Sequence, residues 1–377
     1  MGEIARALAA RGHAVDVVLP HHPKFRYPAG GGVRFFPYRY APTAHFATWG
    51  FGESLRGSSR VRPQVAALLP VIAISLRMRI RQLLAAGSHD VVHAHWLLPN
   101  GWAAAGCGTP LVFTLHGSDV AIAERNRLFQ ALARRALAAA GAVTAVSDDL
   151  RIRAETLGAD PSTTRTLHLG VNTEEFAPRA DNPAMRIRLG AAPEQLLVVA
   201  VGRLVEPKGF AFLIEACSRL ESVHVAIVGD GDLRSELERL AHERGASATF
   251  TGGLDHSAVG AAVAAADVVA VPSVIGNVGN VDGLPTTLLE ALSAGRAVVA
   301  TRIAGIPEVV TDRSNGLLVP EKDIDALERA LTALKDPGMR ERLGREARRR
   351  ATSELGWDKT TEGFEQAFLT AGARSST

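Results

Sequence analysis

LLVVAVGRLVEPKG, Leu196 to Gly209, is the stretch whose reading decides the fold. A valine-rich run of strand length, apolar at almost every position, passes straight into a glycine-bounded loop. A strand with one wet face would alternate apolar and polar residues. A continuous run is instead covered on both faces, as in a parallel sheet flanked by crossover helices. The loop carries two cations, Arg203 and Lys208, around Pro207. A loop of that span can aim both at one anion, and a diphosphate is the natural size. Arg forks two oxygens while Lys supplies a compact charge. A solvated surface turn is the competing reading of the same residues.

Similar runs lie on either side. AVDVVLP, VRFFPY, DVVHAH, PLVFTLHG and AVTAVS precede it; VHVAIVG, ATFTG, DVVAVPS, AVVAT and NGLLVP follow. Helix-period segments separate most of them, which predicts an α/β fold of doubly wound parallel sheets. The alternation breaks between Gly170 and Leu196, where VNTEEFAPRADNPAMRIRLGAAPEQ is polar and rich in proline. The domain boundary is therefore expected near Arg179, giving domains 1–179 and 180–356. Residues 357–377 form a last amphipathic helix, anchored by Trp357 and expected to pack back towards the first domain. The chain opens on a helix, Gly2 to Arg11, followed by the strand in RGHAVDVV. A doubly wound domain normally opens with a strand and a glycine loop, so the first strand is expected to be missing.

Composition is that of a globular protein: 377 residues, 47% hydrophobic and 21% charged, long enough for two cores. The net charge of +3 divides unevenly: 20 cations against 12 acids over residues 1–180, then 22 against 27. A basic front half without aromatic-rich repeats points to anionic small molecules or a membrane surface and away from nucleic acid, unless that surface is merely solvated. Two cysteines in apolar surroundings, Cys107 and Cys217, suggest neither a disulfide framework nor a metal cluster. No apolar stretch reaches the roughly 20 residues that span a bilayer, and MGEIARALAARGHAV does not read as a signal peptide. A cytoplasmic location is the expectation.

DGLPTTLLEALSAGRAVVAT, Asp282 to Thr301, holds a second cluster. Pro285 is expected in the first turn of a helix, where N–H groups lack intrahelical partners. The free N–H groups of Thr286, Thr287 and Leu288 would form a partly positive end that complements Arg203 and Lys208. Glu290 lies one turn on, about 6 Å along the axis on nearly the same face. Its carboxylate could accept hydrogen bonds from a ribose, and Asp282 would point to the other end of a bound diphosphate, where a sugar would sit. An acidic cap and one half-exposed Glu is the plainer reading.

With these residues in hand the chain resembles the family 4 retaining glycosyltransferases, group 1 glycosyl transferases of the bacterial polysaccharide or glycolipid type. The resemblance rests on GRLVEPKG, VAIVGDGDLRSEL, FTGGL, ADVVAVPS, DGLPTTLLEALSAGRAVVAT, GIPEVV and NGLLVP, in that order. HAHW, TLHGSD, AVSDDLR and LGVNTEEF carry it through the first half, from about Met1 to Trp357 overall. It implies the GT-B fold, two Rossmann-like domains facing across a cleft. It implies that Arg203 and Lys208 hold the donor diphosphate and that Glu290 holds the ribose. Asp282 would contact the donor sugar, at a position where the family usually has Glu. Gly202, Leu254 and the stretch Gly283, Leu284, Pro285, Thr286 and Thr287 would line the donor. His116 would sit beside the sugar at the reacting centre, unless it is a buried structural histidine.

The resemblance further implies transfer of a hexose from a UDP or GDP sugar to a glycan or lipid-linked acceptor, with retention and without a metal or other cofactor. The sequence offers no metal site of the kind that single-domain glycosyltransferases use, and no obvious nucleophile is expected to face the sugar. The segment RVRPQVAALLPVIAISLRMRIRQLL, with Arg77, Arg79 and Arg81, could lie on an anionic membrane or be a core helix with a solvated basic face. Trp96 and Trp102 could stack on sugar or simply pack. Two other readings stay open: a nucleotide-sugar epimerase, and a non-catalytic or truncated nucleotide-sugar-binding protein.

Overall fold

The computed structural model describes residues 2–22, 30–41, 55–56, 60–61, 63–124, 127–179, 182–277 and 279–375, with side chains outside 55–66 and 375. The chain divides into two units. The first comprises Met1–His168 together with Trp357–Thr377, and the second is Leu169–Gly356.

The first unit contains β1 (Val15–Pro20), β2 (Val33–Tyr38), β3 (Leu55–Arg56), β4 (Arg60–Val61), β5 (Val92–His95), β6 (Leu111–Leu115), β7 (Ala142–Ala145) and β8 (Thr164–Thr166). Strands β5-β6-β7-β8 form a parallel sheet, β1 pairs in parallel with β2, and β3 and β4 make a short antiparallel pair. β6 and β7 are buried at every position, with one threonine in each, Thr114 and Thr144, among apolar residues. The helix Trp357–Ser375 lays Ala367 and Ala371 against Val112 of β6 and Ala142 of β7. Its approach is close enough that a Cβ on Gly141 would stand 2.7 Å from the Ala371 Cα.

The second unit holds β9 (Leu196–Val201), β10 (Val223–Val228), β11 (Ala248–Gly252), β12 (Val268–Val271), β13 (Ala297–Thr301) and β14 (Leu317–Val319). Their order is β11-β10-β9-β12-β13-β14, parallel throughout. The chain winds outward from β9 to β11, then returns and winds the other way from β12. That reversal lies between β9 and β12, and beyond the carboxyl ends of such strands open α/β sheets bind ligands. Val198, Ala200, Phe210, Leu213 and Ile214 form the centre of the core under this sheet.

Two expectations need correction. The boundary falls at His168/Leu169, earlier than the one expected near Arg179. The polar stretch after Gly170 is bound into the second unit: Val171 N–H donates to the Leu355 carbonyl at 2.9 Å, and Arg348 donates to the Thr173 carbonyl at 2.7 Å. Polarity there reflects capping and anchoring contacts, which resemble a linker in composition.

The basic helix Pro63–Ala86 is the second correction. Two of its arginines turn inward onto rings, while Arg81 is exposed. Arg77 stacks over Trp102 at 5.8 Å and Arg79 over Phe36 at 5.5 Å, so Trp102 packs against a cation. The outward stripe is instead apolar, with Val71, Ile74 and Met78 exposed by 46%, 55% and 57%. No helix among the described residues is long and apolar enough to cross a membrane.

Candidate functional site

In the second unit the residues singled out in the sequence gather past β9 and β12. Chain leaving β9 turns at Gly202 into a short 3-10 turn, Glu206–Lys208, that ends on Gly209. Lys208 folds back along Gly202: a Cβ there would lie 2.9 Å from Lys208 Cε. Gly209 holds the left-handed conformation, φ 65°, and a Cβ on it would fall 1.9 Å from the Pro272 carbonyl oxygen. Gly209 is thus dictated by close approach to fixed backbone, whereas the neighbour of Gly202 is the flexible end of a side chain. Lys208 Nζ lies 2.6 Å from Asp282 Oδ2. The contact is an ion pair without hydrogen-bond alignment, since that oxygen has no hydrogen-bond partner. Arg203 is exposed at the rim of the same loop, and Leu254 is half-buried beyond the end of β11.

The helix after Asp282 starts at Thr286, with Pro285 as its N-cap residue and no side chain capping it. Pro285 therefore stands just outside the first turn. Leu288 N–H donates to the Pro285 carbonyl at 3.1 Å, which corrects the expectation that it is free. The N–H groups of Thr286 and Thr287 supply the open helix start. Thr287 Oγ1 reaches the Val201 carbonyl at 3.5 Å and ties the helix to β9. Gly283, Leu284 and Pro285 are buried, and the Gly283 carbonyl accepts from Gly305 N–H at 2.8 Å.

Glu290 sits on the same helix, mostly buried. Burial raises its pKa above the ordinary carboxylate value, a neighbouring Glu175 adds to that, and His256 and Lys208 oppose it. His256 Nε2 lies 3.2 Å from Glu175 Oε1. Glu175 and His256 were not singled out in the sequence. Their only signal is position, in LGVNTEEF and directly after FTGGLD. Glu206 was missed too: its carboxylate accepts the Asn277 N–H at 3.0 Å, while Glu321 accepts the Ile275 N–H at 2.7 Å. These two carboxylates anchor the loop that leads to Asp282.

In the first unit, His116 follows β6 and is half-buried. Asp119 organises its surroundings. One oxygen accepts from the N–H groups of His116 at 3.1 Å and Gly117 at 2.8 Å, and the other from Leu97 at 3.3 Å. Asp119 is 2% exposed, so three backbone donors that would otherwise be unsatisfied meet one carboxylate. The acid two residues past HG was the available signal for it. Trp96, next to this loop, has a left-handed φ of 73°. Burial lowers the pKa of His116, against the pull of the Asp119 charge. No group of three His, Cys, Asp or Glu among the described residues is arranged to hold a metal ion.

Residues 181–350 match the model of glycosyl transferases group 1, and residues 1–175 that of glycosyltransferase family 4. The GDP-mannose-dependent alpha-(1-6)-phosphatidylinositol monomannoside mannosyltransferase of Mycolicibacterium smegmatis is 32% identical over 331 residues, 84% of this chain and 85% of its own length. The chain belongs to the group 1, family 4 glycosyltransferases. The sulfoquinovosyl transferase SQD2 of Arabidopsis thaliana is 34% identical over 202 residues. This family 4 chain spans 38% of that plant protein's length, and 60% of a Bacillus subtilis glycosyltransferase assigned to teichuronic acid biosynthesis. Among solved structures, sucrose-phosphate synthase from Thermosynechococcus elongatus superposes with a TM-score of 0.79 at 22% identity, covering 99% of this chain and 92% of that one. HepE from Anabaena, in complex with UDP and glucose, gives 0.72 at 20% identity, covering 97% and 94%. The shared architecture is the GT-B fold, with parallel sheets in two Rossmann-like domains.

Proposed function

We propose that this family 4 chain transfers a hexose from a nucleoside-diphosphate sugar to a glycan or lipid-linked acceptor, with retention of configuration. The observation that carries the reading is the Lys208–Asp282 pair beside the uncapped helix start at Thr286, at the sheet's reversal point. A cation and free N–H groups suit a diphosphate, and a carboxylate beside them suits sugar hydroxyls. Relatives named for GDP-mannose or solved with UDP and glucose support a donor of this class.

In this reading Lys208 and Arg203 neutralise the leaving diphosphate, with Gly202, Gly283, Leu284, Pro285, Thr286 and Thr287 lining it and Leu254 beside the base. Glu290 accepts the ribose hydroxyls. Asp282 and His116 contact the hexose. The acceptor hydroxyl attacks the anomeric carbon from the face the diphosphate leaves. The bond to the phosphate oxygen breaks as the bond to the acceptor oxygen forms, and the acceptor's proton passes to the departing phosphate. No metal enters this scheme.

Calorimetric titration of UDP, GDP and ADP tests the donor site. One nucleotide should bind saturably, and the Arg203→Ala/Lys208→Ala double variant should lose it; a chain that binds none of the three would sink the reading. The same titration should depend on pH. Ionised Glu290 accepts ribose hydroxyls, so affinity falls as pH drops through its raised pKa. Stability runs the other way: a folded-state pKa raised by burial stabilises the fold at low pH, and that contribution is lost as pH rises through it. Glu290→Gln should flatten both trends.

We also propose that the exposed stripe Val71, Ile74 and Met78, with Arg81 on the same helix, rests on an anionic membrane near a lipid-linked acceptor. The chain should co-sediment with phosphatidylglycerol vesicles and much less with phosphatidylcholine. Retention of binding by Ile74→Asp would exclude that helix face.

A further inference from the structure

β5 carries His93 and His95 on one face, because alternate residues of a strand share a side. β6 runs beside it, with His95 opposite Thr114, so that His116 emerges next to His95 just past the strand's end. The three imidazoles form a column. Ring centroids of His93 and His95 are 4.2 Å apart, and those of His95 and His116 5.3 Å.

The inner end of the column is fixed by proton counting. Thr144 Oγ1 donates to the Phe113 carbonyl at 3.2 Å. A hydroxyl has one proton, so Thr144 must accept from Thr114, whose Oγ1 is 2.7 Å away. Thr114 in turn has no proton left for His93 and must accept from His93 Nε2, again at 2.7 Å. In that donor arrangement His93 carries its proton on Nε2. Phe364 and Phe368, with ring centroids 4.9 and 5.3 Å away, pack against its ring. Burial keeps this imidazole neutral, its pKa pushed down to about 3.

His95 stacks on that fixed ring, and its Nδ1 lies 3.1 Å from His116 Nε2. Burial lowers the pKa of both rings. Two neutral imidazoles share a single proton along such a line, so the bond takes up one nitrogen of each ring.

We propose that His95 is a positioning residue for His116: it engages Nε2 of that ring, fixes the ring's rotation and tautomer, and leaves Nδ1 as the nitrogen offered to a ligand. The inference rests on the reading of His116 as a contact of the transferred sugar. The role is distinct from packing, because only a side chain with a polar atom where His95 Nδ1 lies can perform it. Asn can place an amide near that point, and Leu fills the space without one.

The test is the imidazole nitrogen spectrum of the full chain labelled with 15N-histidine, recorded for wild type, His95→Leu and His95→Asn. His116 should show one tautomer in wild type, a mixture in His95→Leu and one tautomer again in His95→Asn. Unchanged His116 nitrogens in His95→Leu would overturn the proposal, as would identical spectra for the Leu and Asn variants. Release of nucleoside diphosphate from UDP-glucose and from GDP-mannose provides the second readout. Where a donor turns over, His95→Leu should lower kcat about tenfold with the donor KM unchanged, as expected when a reacting group is slightly misplaced. In a His116→Ala background the same substitution should have no further effect, whereas multiplicative losses would assign His95 a role of its own. Full turnover by His116→Ala, with the tautomer result intact, would remove the sugar contact and leave only the ring's positioning.

Discussion

Lys208→Ala should weaken binding of the nucleoside diphosphate by about a hundredfold, ~2.7 kcal/mol, the size of a lost charge-assisted contact. Two features of the loop make this the largest expected loss in affinity. Lys208 is threaded against Gly202, so its reach is set by packing as well as by charge. It also neutralises Asp282 at 2.6 Å. Its removal therefore withdraws a cation from the phosphate and leaves an unpaired carboxylate facing it. The two effects separate in a double-mutant cycle. Lys208→Ala/Asp282→Asn should bind the diphosphate more tightly than Lys208→Ala alone, because the repulsion has gone. Lys208→Arg should recover only part of the loss, since a planar guanidinium is wider than the methylene chain that passes Gly202. Wild-type affinity in Lys208→Ala, measured by calorimetry, would place the diphosphate elsewhere.

Gly209→Val should destabilise the second unit by about 4 kcal/mol, the range of large backbone-strain effects. The residue has φ 65°, and its Cβ would fall 1.9 Å from a backbone carbonyl oxygen, that of Pro272. A flexible side chain could move aside; a backbone at the end of β12 cannot do so without shifting the sheet. Gly245 supplies the control. It has nearly the same conformation, φ 64°, but nothing lies within 4 Å of where its Cβ would be. Gly245→Val carries the left-handed penalty alone, about 1–2 kcal/mol. The difference between the two variants in urea unfolding then measures the clash. Equal losses would mean that the Pro272 contact relaxes freely. Because Gly209 also begins the helix Phe210–Ser218 that follows Lys208, the variant should lose nucleotide binding as well.

Much of the fold is legible because parallel strands buried on both faces read as plain apolar runs. VHVAIVG became β10, DVVAVPS β12 and AVVAT β13, each buried along its length. β8 was not legible: Thr164–Thr166 is a polar edge strand with no apolar pattern to betray it. In the site, spacing alone brought out Arg203, Lys208, Asp282 and Glu290, because loop-borne cations and carboxylates beside a helix start are unusual in an apolar context. Their pairing was invisible, since Lys208 and Asp282 meet only once β9 and β12 lie side by side. Asp119, Glu206 and Glu321 escaped notice for a related reason. Each acts by accepting backbone N–H groups, and a backbone partner leaves no trace in residue identity. Arg77 and Arg79 of the helix Pro63–Ala86 were illegible for the opposite reason, because a long aliphatic stem lets Arg stack inward on an aromatic ring.

The helix Trp357–Ser375 gives the molecule an order of assembly. Residues 169–356 form the second unit as one continuous stretch of chain, so a ribosome can release that unit ready to fold before the last helix has emerged. The first unit is made of chain synthesised at both ends. Until Ala367 and Ala371 arrive, Val112 and Ala142 lack the apolar partners that this helix brings to their part of the sheet. The nascent first half must then wait through synthesis of the whole second unit with apolar surface exposed, which is the interval in which a chaperone would find it.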